Sequence, residues 1–287
     1  MKLESDTLHS IVVTLTPTRE TSIRASMGHQ AHGAFLKTVR EADRALAEAL
    51  HIPNAPVRPF TVSMLRGTPP ARDGRLHLSP RETYWLRFTT LFGPLYERFM
   101  TRFLHAGSQP IIRLGSARLL IKEICSTRQG HPWAGHTTWS SLVREARPRD
   151  EIRLAFVSPT AFGFGQKAWG KKVMVLPRPE TVFGSLARSW NHLAPEPFQI
   201  DRRDLREYLD ENVVIKRIDD LHTQMLHLGR SLQIGFVGRV LYGLMSDDET
   251  RHAQLNALAD VAFYTGVGMK TTMGMGQCRR MGGAASS

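Results

Sequence analysis

Eleven residues near the C-terminus, Gly266-Val267-Gly268-Met269-Lys270-Thr271-Thr272-Met273-Gly274-Met275-Gly276, set four glycines around one lysine. Glycine lets a backbone take positive φ values and approach another chain closely. Exposed amides beside a cation attract phosphate groups. Gly266, Gly268, Lys270, Gly274 and Gly276 are therefore the residues expected to meet a polyanion. Lys167, Lys171 and Lys172 form a second basic cluster, in a Gly- and aromatic-containing segment, 162–172, that reads as a loop. They are either a grip on a phosphate backbone or a solvated lysine cluster.

Proton-transfer chemistry points to histidine, which can give or take a proton near neutral pH. The chain holds twelve, so residue type alone does not discriminate. His29 and His32, in Gly28-His29-Gln30-Ala31-His32-Gly33, share one face if a helix has begun there. They are a reactive pair or ordinary surface histidines at a helix entry. No Cys or acidic third ligand lies near them, which argues against a metal site. His51 closes the helical turn 45–50; on its residues alone it reads as a helix-terminal imidazole favoured by the helix dipole. His222 and His227, five apart, would point to different sides of a helix.

A formal net charge of +12 over 287 residues, with a pI near 10.3, implies a polyanionic partner. The length suits two domains, each able to bury a core, and 41% hydrophobic content is that of a globular chain. Only Cys125 and Cys278 are present, with no CxxC, so neither a disulfide framework nor a zinc site is expected, nor any cofactor. No apolar run approaches the roughly 18 to 20 residues that span a bilayer. The N-terminus lacks a secretory pattern, so a cytoplasmic protein without a membrane partner is expected.

The elements that must position these residues repeat. Residues 8–18 read as a strand, 35–50 as a helical stretch, 58–65 and 82–91 as strands, 94–104 as a helix and 111–124 as a strand. In 82–91, Tyr84, Leu86 and Phe88 alternate against Trp85 and Arg87. The second half reads likewise: strand 152–157, helix 180–193, strands 213–218 and 232–244, helix 248–264 and a short closing strand 277–281. Two βαββαβ units in tandem describe an α+β fold of two ferredoxin-like, RRM-like domains with a C-terminal glycine-rich loop. The expected domains are 1–140, carrying the candidate histidines, and 150–287, carrying the loop, with a junction near 127–150. Open sheets of this kind are a common RNA-binding platform, though the fold alone assigns no function.

The glycine-rich loop comes with Arg58-Pro59-Phe60-Thr61-Val62-Ser63-Met64-Leu65, Phe156-Val157-Ser158-Pro159-Thr160-Ala161-Phe162, Gly235-Phe236-Val237-Gly238 and Trp190-Asn191. Together these resemble the CRISPR-associated endoribonucleases that cut repeat RNA into guide RNAs, the sixth CRISPR-associated protein family of the repeat-associated mysterious protein superfamily. The resemblance covers nearly the whole chain. It implies two ferredoxin-like domains, cleavage without a metal, and CRISPR repeat RNA as partner. The substrate's 2′-hydroxyl would be the nucleophile, leaving a 2′,3′-cyclic phosphate and a 5′-hydroxyl. It also implies catalysis by His51, with His32 or His29 as a second histidine.

Other subunits of an interference complex, and a monomer or a homodimer, stay open. So does an alternative: a non-catalytic subunit that binds the guide RNA without cutting it. A nucleotide-binding enzyme is disfavoured, because GxxxxGK[ST] is missing and the loop follows a helix instead of opening one.

One straight helix from residue 32 to residue 51 would separate its ends by roughly 28 Å, too far to serve one phosphate. Asp43 is placed to cap a second short helix and let the chain fold back.

Overall fold

The computed structural model describes residues 6–51, 55–104, 110–229 and 231–282. The first five residues and the last five, read above for a secretion signal and as part of the C-terminal region, lie outside them. Two compact units are present. The first comprises 1–137 with two later segments, 227–231 and 272–274; the second comprises 138–226, 232–271 and 275–287.

In the first unit the strands are β1 (Thr7–Pro17), β2 (Thr21–Arg24), β3 (Phe60–Val62), β4 (Arg75–Leu78), β5 (Tyr84–Thr90), β6 (Ile111–Leu114), β7 (Ala117–Cys125) and β8 (Gly135–Thr138). Its helices are α1 (Gly28–Ala42), α2 (Arg44–Leu50) and α3 (Gly93–Leu104). The main sheet runs β3-β5-β1-β7-β6, with β8 also on β1, while β2 and β4 pair separately. Ile11, Val13 and Leu15 face this core along β1, while Ser10 and Val12 are buried on the opposite face. The stripe Ala31, Phe35, Leu36 and Val39 on α1 meets them. Phe35 anchors this core: its ring lies 4.4 Å from Phe60, 5.6 Å from Phe88 and 5.2 Å from Phe99.

The second unit holds α4 (Trp139–Glu145), β9 (Glu151–Thr160), β10 (Phe162–Lys167), β11 (Gly170–Met174), α5 (Pro179–Leu193), α6 (Arg202–Asn212), β12 (Val213–Leu228), β13 (Ser231–Leu244), α7 (Glu249–Thr265) and β14 (Cys278–Arg280). Its sheet order is β12-β13-β9-β14. Counting each unit's four principal strands by chain order, both sheets run second, third, first, fourth. That shared permutation, with helices after the first and third strands, is the ferredoxin-like arrangement anticipated above.

Several local expectations change. The strand read over 58–65 shrinks to β3, and 111–124 is a hairpin, β6 and β7, turning at Gly115 with φ 59°. Segment 162–172 is not a loop but the hairpin β10–β11. His222 and His227 sit on a strand, β12, not on a helix. Helix α6 was missed, although Asp201 caps it by accepting from Arg203 N and Asp204 N, and Leu205 and Leu209 form its buried stripe.

Arg87 also departs from simple alternation. It is buried, donating from Nε to Ser10 Oγ at 2.7 Å and to the Trp133 carbonyl at 3.1 Å. The residues around Trp133 cover a sheet face that the strand pattern alone leaves to solvent.

Candidate active site

The chain turns at Asp43, whose extended backbone (φ −153°, ψ 104°) ends α1. Its Oδ1 accepts from Leu46 N at 2.9 Å and so starts α2. Arg98 braces the same carboxylate at 3.3 Å. At the far end of α2, Arg58 donates to the carbonyl of Leu50, and the next residue, His51, stands exposed. The fold-back expected of Asp43 is therefore present.

His32 is the half-buried member of the group. Its Nδ1 lies 3.1 Å from the carbonyl of Thr272. A carbonyl only accepts, so Nδ1 carries the hydrogen and Nε2 is left with a free lone pair. The ring also lies 5.5 Å from that of Phe60 on β3. Burial pushes the His32 pKa down; the Thr272 bond opposes this, and the charges of Arg58, His51 and His29 lower it further. His29, His51 and the Arg58 guanidinium thus all act on His32. Sequence reasoning had quoted Arg58 only as part of a strand and missed it as a site residue.

Residues 272–274 pack close to this group within the first unit. A Cβ on Gly28 would lie 1.9 Å from the Met273 carbonyl, so only glycine fits at the start of α1. A Cβ on Gly274, at φ 90°, would lie 2.6 Å from Met64 Cγ, and one on Gly229 would lie 3.4 Å from the His29 ring. The contact between His32 and the glycine-rich segment, 240 residues apart in sequence, had no local signal.

All four loop glycines take positive φ: Gly266 65°, Gly268 83° and Gly276 69° in the second unit, and Gly274 90° in the first. Lys270 joins them at 58°, an uncommon conformation outside glycine. The expectation of exposed amides needs correction. Val267 N bonds Gly276 O, Gly268 N bonds Ser185 Oγ, Met269 N bonds Ala161 O and Gly276 N bonds Pro159 O. These amides are spent on shaping the loop, and the glycines serve close backbone approach. What the loop presents is Lys270, whose pKa is lowered by partial burial and then by the like charge of Lys171. Lys172 lies 5.7 Å over the Phe164 ring, while Lys167 is exposed near the hairpin tip.

The quoted motifs find structural jobs. Trp190 Nε1 donates to Phe198 O, and Asn191 both donates to Ile200 O and accepts from Ile200 N, clamping the turn that leads into α6. Gly235 and Gly238 flank the register shift at Phe236 where β13 crosses β9. Neither Cys125 nor Cys278 is in a disulfide, and no group of three or more metal-ligating side chains occurs among the described residues. No helix among them is long and apolar enough to cross a membrane.

Two ferredoxin-like units of this build, with a glycine-rich loop ahead of the last strand, place the chain in the class of tandem ferredoxin-like proteins. Within it, the CRISPR Cas6 N-terminal domain model matches residues 7–144, and the CRISPR-associated endoribonuclease Cas6 model matches 154–278. The chain belongs to the Cas6 family of CRISPR-associated endoribonucleases.

Thermus thermophilus Cas6 (TTHB231), solved as a product complex, is 28% identical and superposes at a TM-score of 0.81 over 96% of this chain and 100% of that one. Cas6 (TTHA0078), solved with a substrate mimic, is 27% identical, with a TM-score of 0.71 over 96% and 100%. A Cas6-related protein from Pyrococcus furiosus, 12% identical with a TM-score of 0.64 over 96% and 99%, shares the fold alone. No curated protein matches the chain.

Proposed function

We propose that this chain cleaves CRISPR precursor RNA within its repeats, without a metal, through attack by the ribose 2′-hydroxyl. The observation that carries the reading is the convergence of His32, His29, His51 and Arg58, with the His32 tautomer set by the Thr272 carbonyl. The product and substrate-mimic complexes of Cas6 relatives of more than 25% identity support the substrate class.

In this mechanism the unprotonated Nε2 of His32 takes the 2′-hydroxyl proton as the oxygen attacks the adjacent phosphorus. The P–O5′ bond then breaks, and an imidazolium, assigned to His51 with His29 beside it, protonates the leaving 5′-oxygen. Arg58 adds positive charge to the region in which the phosphorane forms, while it holds the end of α2 through Leu50. The products are a 2′,3′-cyclic phosphate and a 5′-hydroxyl. Lys270, Lys171, Lys172 and Lys167 bind the RNA backbone elsewhere, on the loop and hairpin of the second unit.

The test is single-turnover cleavage of the cognate repeat RNA in excess chelator, with end-group analysis. Cleavage should persist, yield a cyclic phosphate, and stop when the ribose just upstream of the cut lacks its 2′-hydroxyl. Loss of activity with chelator, or cutting of the 2′-deoxy substrate, would overturn the mechanism. Tight binding with no cleavage would instead identify a guide-holding subunit.

A further inference from the structure

Within the second unit, β10–β11, α5 and α6 enclose a cavity of about 950 Å³. Six cations line it (Lys172, Arg178, Arg188, Arg202, Arg203 and Arg206) against three carboxylates, Glu180, Glu207 and Asp210, an excess of three positive charges. Two of the cations are matched, Arg178 with Glu180 and Arg203 with Glu207. Arg188 is not: its Nε is buried and has no hydrogen-bond partner. Arg202 adds a like charge, and with burial lowers the Arg188 pKa. A guanidinium that is partly buried, with its Nε unpartnered beside another cation, gains from an anion that completes it.

The other orphan is Glu180 Oε2, also buried and without a partner. It lies eight residues earlier on α5, about 12 Å along the axis. That is farther than a single phosphate spans, and it adds an acceptor to a set of donors. Gly268 of the glycine-rich loop and Phe164, 45% exposed, complete the wall. Donors for phosphate, an acceptor for a hydroxyl or a base amine, and an aromatic face together match an oligonucleotide better than an inorganic ion.

We propose that this cavity is a binding site for an RNA segment outside the cleaved linkage, with one backbone phosphate seated on Arg188 and reached by Arg202 and Arg206. The carboxylate of Glu180 accepts from a ribose 2′-hydroxyl or a base amine of the same segment. This rests on the reading of the chain as an RNA-cleaving protein. It adds a site that does no chemistry and that holds substrate by α5 and α6, elements with no part in the histidine group.

The test uses the full chain and Arg188→Gln, Arg206→Gln and Gly184→Glu. Gly184 lines the cavity and has nothing within 4 Å of an added Cβ, so its substitution introduces a negative charge without a clash. Affinity for the repeat RNA is measured over a salt series, and cleavage at saturating RNA alongside it. Each variant should bind about tenfold more weakly, as loss of a charged hydrogen bond implies. The Arg variants should lower the salt slope by about 0.7 to 0.9, one phosphate contact. Cleavage at saturation should be unchanged.

Unchanged affinity and slope in Arg188→Gln and Gly184→Glu would overturn the site. So would inorganic phosphate or ATP binding to the wild type but not to Arg188→Gln, with RNA affinity equal in the two. Failure of the wild type to cut RNA would defeat the catalytic reading alone, because the binding difference is read independently.

Discussion

In the proposed mechanism His32 is the base. Burial, and after it the charges of Arg58, His51 and His29, push its pKa down against the opposing Thr272 bond, and the Thr272 carbonyl keeps the hydrogen on Nδ1. The sign of the pH effect follows. A folded pKa below 6.5 means the reactive, unprotonated form persists to lower pH than for a free imidazole. The acid limb of kcat/KM, which reports the free protein's coupled group, should therefore fall below pH 6.5. Replacing His32 with alanine should slow single-turnover cleavage about 100- to 10,000-fold, the usual worth of a positioned proton-transfer group. A limb at or above pH 6.5 would contradict the assignment, as would an alanine variant of ordinary speed. Residue identity alone did not rank the histidines; what separates His32 from the exposed His29 and His51 is a carbonyl 240 positions away.

At the level of elements, the break at Asp43 is what lets one helix start and another helix end contribute to one group. Asp43→Ala removes the cap of α2 and should cost about 1 kcal/mol in urea unfolding. It should also slow cleavage by loosening His51, whereas Asp43→Asn, which can still accept from Leu46 N, should retain most of both. Equal loss in the two variants would show that the pairing with Arg98, not the cap, is what counts.

This feature was legible in advance because capping is a local property: an Asp ahead of a helical pattern is its own signal. The same holds for β1, α5 and α7, whose residues give type and approximate bounds, whereas the single helical stretch read over 35–50 proves to be α1, opening at Gly28, and α2. Arg87 was not legible, since its burial depends on residues around Trp133 closing over a strand face. Nor was the hairpin β10–β11, where Gly163 and Gly165 weaken any alternating pattern.

For the whole molecule, the division of labour follows from which residues each unit holds. The first carries the three histidines, Arg58 and residues 272–274; the second carries Lys270, the lysine hairpin and the arginine cavity. Net charge pointed to a polyanion without saying where it binds, and the cavity on α5 and α6 became visible only once the missed helix was in place. On the proposed mechanism, chemistry and grip therefore fall to different residues.

The direct test is a protein with His29, His32 and His51 all replaced by alanine, compared with wild type on cognate repeat RNA in chelator. The triple variant should bind the RNA with little change, since the cationic residues remain, and cleave it at the uncatalysed rate. Cleavage at the wild-type rate by that variant would remove the histidine group from the chemistry.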